Sequence, residues 1–146
     1  MAENGSAAEA EATPHGMVLH RFDSGRVCCE MPFEQGVLQG EGKMYYTTGA
    51  LYAVETYARG VLNGPTKLYY PDGVLQAELE YVDGALDGVA KEYFPNGRVE
   101  SVSQYRAGKK NGHSVVSDDT GTVATHQTYV DDVLTATESA SAPKDP

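Results

Sequence analysis

The chain has 146 residues, of which 21 are Asp or Glu and 11 are Lys or Arg, giving a formal charge of −10. This is one domain's worth of chain, and its acidity argues against nucleic acid or anionic lipid as the main partner, since both need a basic surface. The sequence opens without a basic or apolar leader and has no long apolar run, so neither a secretory signal nor a membrane span is expected, and a cytoplasmic location is the default.

Residues 1–15 are small and acidic with no apolar pattern, and they are expected to form a disordered tail. From residue 16 the sequence repeats every 24 residues. Glycines stand at 16, 40, 64, 88 and 112, and again at 25, 49, 73, 97 and 121. A third set stands at 36, 60, 84 and 108, with Asp132 in the last slot. An aromatic recurs at Phe33, Tyr57, Tyr81, Tyr105 and Tyr129. A fixed period of this size marks a repeat architecture, and it divides the chain into units 16–39, 40–63, 64–87, 88–111 and 112–135. Residues 136–146 read as a second disordered tail.

The third unit shows the local logic. Thr66 to Tyr70 is rich in strand formers, and Pro71-Asp72-Gly73 supplies a three-residue hairpin loop with a glycine bulge. Val74 to Tyr81 is the second strand, and Val82-Asp83-Gly84 makes the next turn. The fold class is therefore all-β: five hairpin repeats, ten strands, in one elongated, twisted antiparallel sheet. Ten strands would span roughly 45 Å. A parallel solenoid also fits the period, but the tight loops favour hairpins because parallel strands need longer crossovers.

With Tyr69 facing Leu75, simple alternation puts Lys67, Tyr69, Leu75, Ala77, Leu79 and Tyr81 on one face. Stacked between units, that face carries an aliphatic column (Val27, Leu51, Leu75, Val99, Val123), a small column (Cys29, Ala53, Ala77, Ser101, Thr125) and the aromatic column, which together read as a packed interior. The opposite face receives Glu78 and, in the first unit, Cys28.

The charge is uneven. Unit 4 carries Lys91, Arg98, Arg106, Lys109 and Lys110 between two acidic units. This band either neutralises its neighbours or forms a docking surface. A column of Lys43, Lys67 and Lys91 alternates with Tyr45, Tyr69 and Tyr93, which is either a binding stripe of cations and aromatics or lysine stems covering tyrosine rings. These ten residues are the candidate binding site. His15, His20, His113 and His126 fall in different columns, so no catalytic residue is expected. Cys28 and Cys29 lack further ligands at workable spacing except His20, so no metal and no cofactor is expected, and Cys29 reads as structural.

The pattern Lys-x-Tyr-Tyr-Pro-Asp-Gly-x-Leu-x-x-Glu-x-x-Tyr-x-x-Gly-x-Leu-x-Gly over 67–88 resembles the bacterial variant of the MORN repeat, and the likeness extends over 16–135. The chain has no Trp, where the usual MORN repeat has Tyr-x-Gly-x-Trp, and this favours the variant family. The resemblance implies hairpin repeats in one curled sheet and no shared catalytic residue. Some members of the variant family are classed as antitoxins. The function expected is a non-enzymatic protein-interaction or scaffold module, with an antitoxin that neutralises a cognate toxin as the alternative. The partner expected is another protein, with neither nucleic acid nor membrane, and open sheet edges offer a route to a homodimer.

Overall fold

The computed structural model describes residues 13–122 and 124–139. Their strands are β1 (Gly16–Arg21), β2 (Val27–Glu34), β3 (Val37–Leu38), β4 (Gly40–Tyr45), β5 (Leu51–Ala58), β6 (Val61–Leu62) and β7 (Gly64–Tyr69). They continue as β8 (Leu75–Val82), β9 (Ala85–Leu86), β10 (Gly88–Tyr93), β11 (Val99–Arg106), β12 (Lys109–Ser117), β13 (Ala124–Val130) and β14 (Val133–Ser139). All belong to one antiparallel sheet in the order β1-β2-β4-β5-β7-β8-β10-β11-β12-β13-β14, with the short β3, β6 and β9 paired to β2, β5 and β8. Among the described residues the sheet does not close into a barrel: β1 and β14 stand at its two edges.

Two turn types generate this order. At the first, the Gly73 N–H donates to the Tyr70 carbonyl at 2.9 Å and the Tyr70 N–H to the Val74 carbonyl at 2.8 Å, with Gly73 at φ 95°. At the second, both central residues have positive φ, as in Asp83 (47°) and Gly84 (86°), which is the two-residue turn whose twist matches its flanking strands. The Gly84 N–H then donates at 2.8 Å to the carbonyl of Leu62 in β6, just after the preceding turn, and Gly60 and Gly108 repeat that bond to Leu38 in β3 and Leu86 in β9. Each such turn is thereby hydrogen-bonded to the short strand of the preceding unit, at one end of the long strands.

The chain paths differ from simple alternation at one recurring point. Tyr69 pairs with Leu75, but Leu68 pairs with Ala77, so Gln76 is an extra residue in β8. The same bulge leaves Cys28, Tyr52 and Glu100 unpaired in β2, β5 and β11. A one-residue slip reverses which residues share a face. Lys67 therefore pairs with Glu78, not Ala77, and Leu75 joins Tyr69 and Lys67 on the face opposite Ala77. The expected face containing both Lys67 and Ala77 does not exist.

The buried face is instead lined by small residues. Gly42, Thr66, Ala90 and Ser114 form one column and Ala53 and Ala77 another, with Ser103 beside Ser114. All of these are buried, whereas Leu51, Leu75 and the aromatic column are only half-buried and Val99 is exposed. Val123 of the expected aliphatic column lies outside the described residues. The Ser103 and Ser114 hydroxyls hydrogen-bond to each other at 2.7 Å. Thr66 Oγ1, one repeat earlier in the same column, has no partner among the described residues, because Leu79 stands opposite it.

Both expected tails are shortened where the structure describes them. The Pro14 carbonyl accepts the Gly36 N–H at 2.8 Å, and His15 Nδ1 accepts the Gln35 N–H at 3.3 Å. At the other end β14 runs four residues past the expected boundary at 135, pairing Ala136 with Thr128 and Ser139 with Thr125. This eleventh strand on the main path exceeds the expected ten because backbone pairing with β13 does not require the repeat's glycines. Residues 1–12 and 140–146 lie outside the described residues.

Candidate functional site

The bulge assembles a continuous line of side chains on the face opposite the small residues. The cross-strand pairs Leu19–Glu30, Glu30–Lys43, Lys43–Val54, Val54–Lys67, Lys67–Glu78, Glu78–Lys91 and Lys91–Val102 follow one another across seven strand junctions. The line continues through Val115 and His126 to Glu138 at the far edge. Facing residues lie about 4.5–5.5 Å apart at Cβ, so opposite charges set directly across from each other attract. Lys67 and Lys91 flank Glu78, and both lysines are exposed.

The three tyrosines of the expected stripe lie beside this line. The Tyr93 hydroxyl donates to Glu78 Oε2 at 2.6 Å, and Tyr45 donates in the same way to Glu30. These bonds to carboxylates hold the phenol protons on. Tyr93 is pushed up to about 12, first by the Glu78 hydrogen bond and then by burial, and Tyr45 is raised chiefly by Glu30. The residue at the matching offset from Tyr69 is Val54, which has no acceptor to offer. Tyr69 instead lines a groove of about 420 Å³ with Lys43, Lys67, Leu51 and Val54. A neighbouring groove of about 190 Å³ contains Lys67, Glu78, Val89 and Lys91. The structure thus brings together Lys43, Tyr45, Lys67, Tyr69, Lys91 and Tyr93. It adds Glu30 and also Glu78, which simple alternation puts on the other side.

The basic residues of unit 4 do not gather. Arg98 lies beside the first turn, where its Nη1 donates to the Thr120 carbonyl of the next unit at 2.5 Å. Arg106, Lys109 and Lys110 lie around the Ala107-Gly108 turn at the other end of the hairpin, roughly 25 Å away along the strand. Lys110 Nζ sits 4.9 Å from the centre of the Tyr129 ring, and Arg106 and Lys109 are exposed. The expected basic band is divided between two ends of the sheet.

Another set of tyrosines, missed from the sequence, ties unit to unit. The Tyr46 and Tyr70 hydroxyls each donate to the backbone carbonyl 23 residues on, at Tyr69 and Tyr93, at 2.6 Å. Phe22 and Phe94 occupy the same column without a hydroxyl, and that Tyr/Phe alternation is the only trace of the role in the sequence.

Among the described residues, no group of three or more His, Cys, Asp or Glu is placed to hold a metal ion. Among the described residues, no helix is long and apolar enough to cross a membrane.

The MORN repeat variant model matches residues 62–83 and 86–107, and the MORN repeat model matches residues 33–51. The matched repeats belong to the MORN family. The two MORN variant matches begin 24 residues apart and take in Lys67, Tyr69, Glu78, Lys91 and Tyr93. A general role in protein–protein interaction is what this family assignment supports. No curated protein sequence matches the chain. Among solved structures, the chain is similar to one from the "Glycosylation Associate Protein (Gap123) complex from Streptococcus agalactiae", at 16% identity and a TM-score of 0.43. That match covers 75% of this chain and 20% of the other, so the chain spans about a fifth of its length.

Proposed function

We propose that this MORN-repeat chain is a non-enzymatic scaffold, built of five 24-residue units, that binds another protein along the Glu30–Lys43–Val54–Lys67–Glu78–Lys91 line. The observation that carries the reading is the continuity of that line across successive hairpins. Lysines and carboxylates set side by side, with tyrosines next to them, offer a partner both register and apolar contact. The net charge of −10 favours a protein partner over nucleic acid or an anionic membrane, and the chain acts in the cytoplasm. A toxin neutralised by direct contact is one such partner, a role supported by the likeness of the repeats to antitoxin-classed variants. A second copy of the chain could pair at the open sheet edges.

The test is capture of partners from a native extract. Lys67→Gln combined with Lys91→Gln should abolish capture while leaving the chain folded, since both side chains are exposed and no like charge is set against Glu78. Arg106→Glu with Lys109→Glu, at the far turn, should leave capture intact. Equal capture by all forms would defeat the assignment of this face. Rescue of growth on co-expression with a neighbouring toxic gene would narrow the role to an antitoxin.

A further inference from the structure

Neighbouring residues on a regular strand point to opposite sides, which would keep adjacent thiols apart. Cys28 and Cys29 break that rule: their sulfurs are 3.7 Å apart, and both are free and half-buried. The cause is the recurring bulge. His20 pairs with Cys29 and Arg21 with Val27, so Cys28 is the extra residue whose side chain the bulge re-aims. The expectation that Cys28 points away from Cys29 is therefore overturned. The equivalent bulge residues in the next three units are Tyr52, Gln76 and Glu100, so the vicinal pair occurs only in the first unit.

The neighbours of the pair include soft donors. Cys29 faces His20 on one side and Met44 on the other, in direct register. Met31 follows Cys29 on the same face of β2. Two thiols and two thioethers thus concentrate in a small patch of an otherwise sulfur-poor chain.

We propose that Cys28, Cys29 and Met44 form a binding site for a soft monovalent cation, copper(I). Thiolate and thioether ligands together select that ion over hard cations. An ion about 2.3 Å from each thiolate, with the sulfurs 3.7 Å apart, would see them at roughly 107°, which leaves room for a third ligand, and Met44 pairs directly with Cys29. Such a set needs only two thiols and a thioether, so it does not require a cluster of three His, Cys or acidic residues. Binding releases the thiol protons to solvent and involves no redox step. A disulfide is the less suitable product, because joining the two sulfurs would distort a paired strand.

The experiment titrates the reduced full chain, without oxygen, against copper(I) supplied as its bicinchoninate complex. The chain should withdraw one equivalent and develop thiolate-to-copper charge-transfer absorption. Cys28→Ser and Cys29→Ser should each lose both signals. Serine already stands at the equivalent of Cys29 in unit 4 (Ser101), so the strand accepts it, and an unchanged thermal midpoint would confirm folding. Met44→Leu should retain the equivalent with weakened competition, and undiminished competition would overturn the role of Met44. Failure of the natural chain to withdraw copper(I), retention of the signal in both serine variants, or displacement of the copper by equimolar zinc would overturn the site.

Discussion

The same buried column is built differently at two places in the sheet. In β12, Ser114 faces Ser103, and their hydroxyls satisfy each other at 2.7 Å. In β7, Thr66 is as deeply buried but faces Leu79, and its hydroxyl has no partner among the described residues. The column needs a small side chain at each level, because adjacent hairpins close over it. It tolerates a hydroxyl without requiring one. Whether a hydroxyl at these positions is satisfied is decided by the cross-strand neighbour, and size is decided by the packing.

The largest expected effect tests the size requirement. Ala77→Leu should destabilise the sheet by about 1–3 kcal/mol, since the site is filled and cannot admit three more carbons without strain. The matching change in the last unit, Thr125→Leu, should cost less, because Thr125 is only half-buried. Urea midpoints at constant slope would measure both, and equal losses would mean that the tight column extends to the C-terminal edge. The next effect tests the hydroxyls, with opposite signs. Thr66→Val should stabilise by about 1 kcal/mol by removing an orphaned polar group, whereas Ser114→Ala should destabilise by about 1 kcal/mol by leaving Ser103 unpaired. Two changes of the same sign would refute the distinction.

The smallest effect concerns the opposite face and pH. The Tyr93 pKa is raised to about 12 from an ordinary value near 10, so the folded state holds the phenol proton more tightly than the unfolded chain. Its contribution to stability is complete below about pH 10 and is lost as pH rises towards about 12. Glu78→Gln should lower the Tyr93 midpoint, read from phenolate absorbance, because a neutral amide favours the phenol less strongly than a carboxylate. An unchanged midpoint would assign the shift to burial instead.

The candidate site was legible only in part. Lys43, Lys67, Lys91 and their tyrosines stood out by their spacing and do share a groove-bearing face. Glu78 falls on the wrong side when alternation is carried straight through Gln76, and Glu30 goes unnoticed. A signal was present: the columns Gly42, Thr66, Ala90, Ser114 and Ala53, Ala77 are both small, and they share one face only if the register slips by one residue.

The sequence by itself determined the period, the two long strands of each unit and both turns, since these follow from local backbone chemistry: glycines where φ is positive, Pro-Asp-Gly where a tight loop starts, and β-formers between them. Tertiary structure alone decided the bulge register, and with it which charges meet and why Cys28 lies beside Cys29. It also decided that Tyr46 and Tyr70 bond to the next unit and that β14 extends the sheet. Those features depend on pairing between segments distant along the chain, where a shift of one residue changes every contact and leaves the local signals untouched.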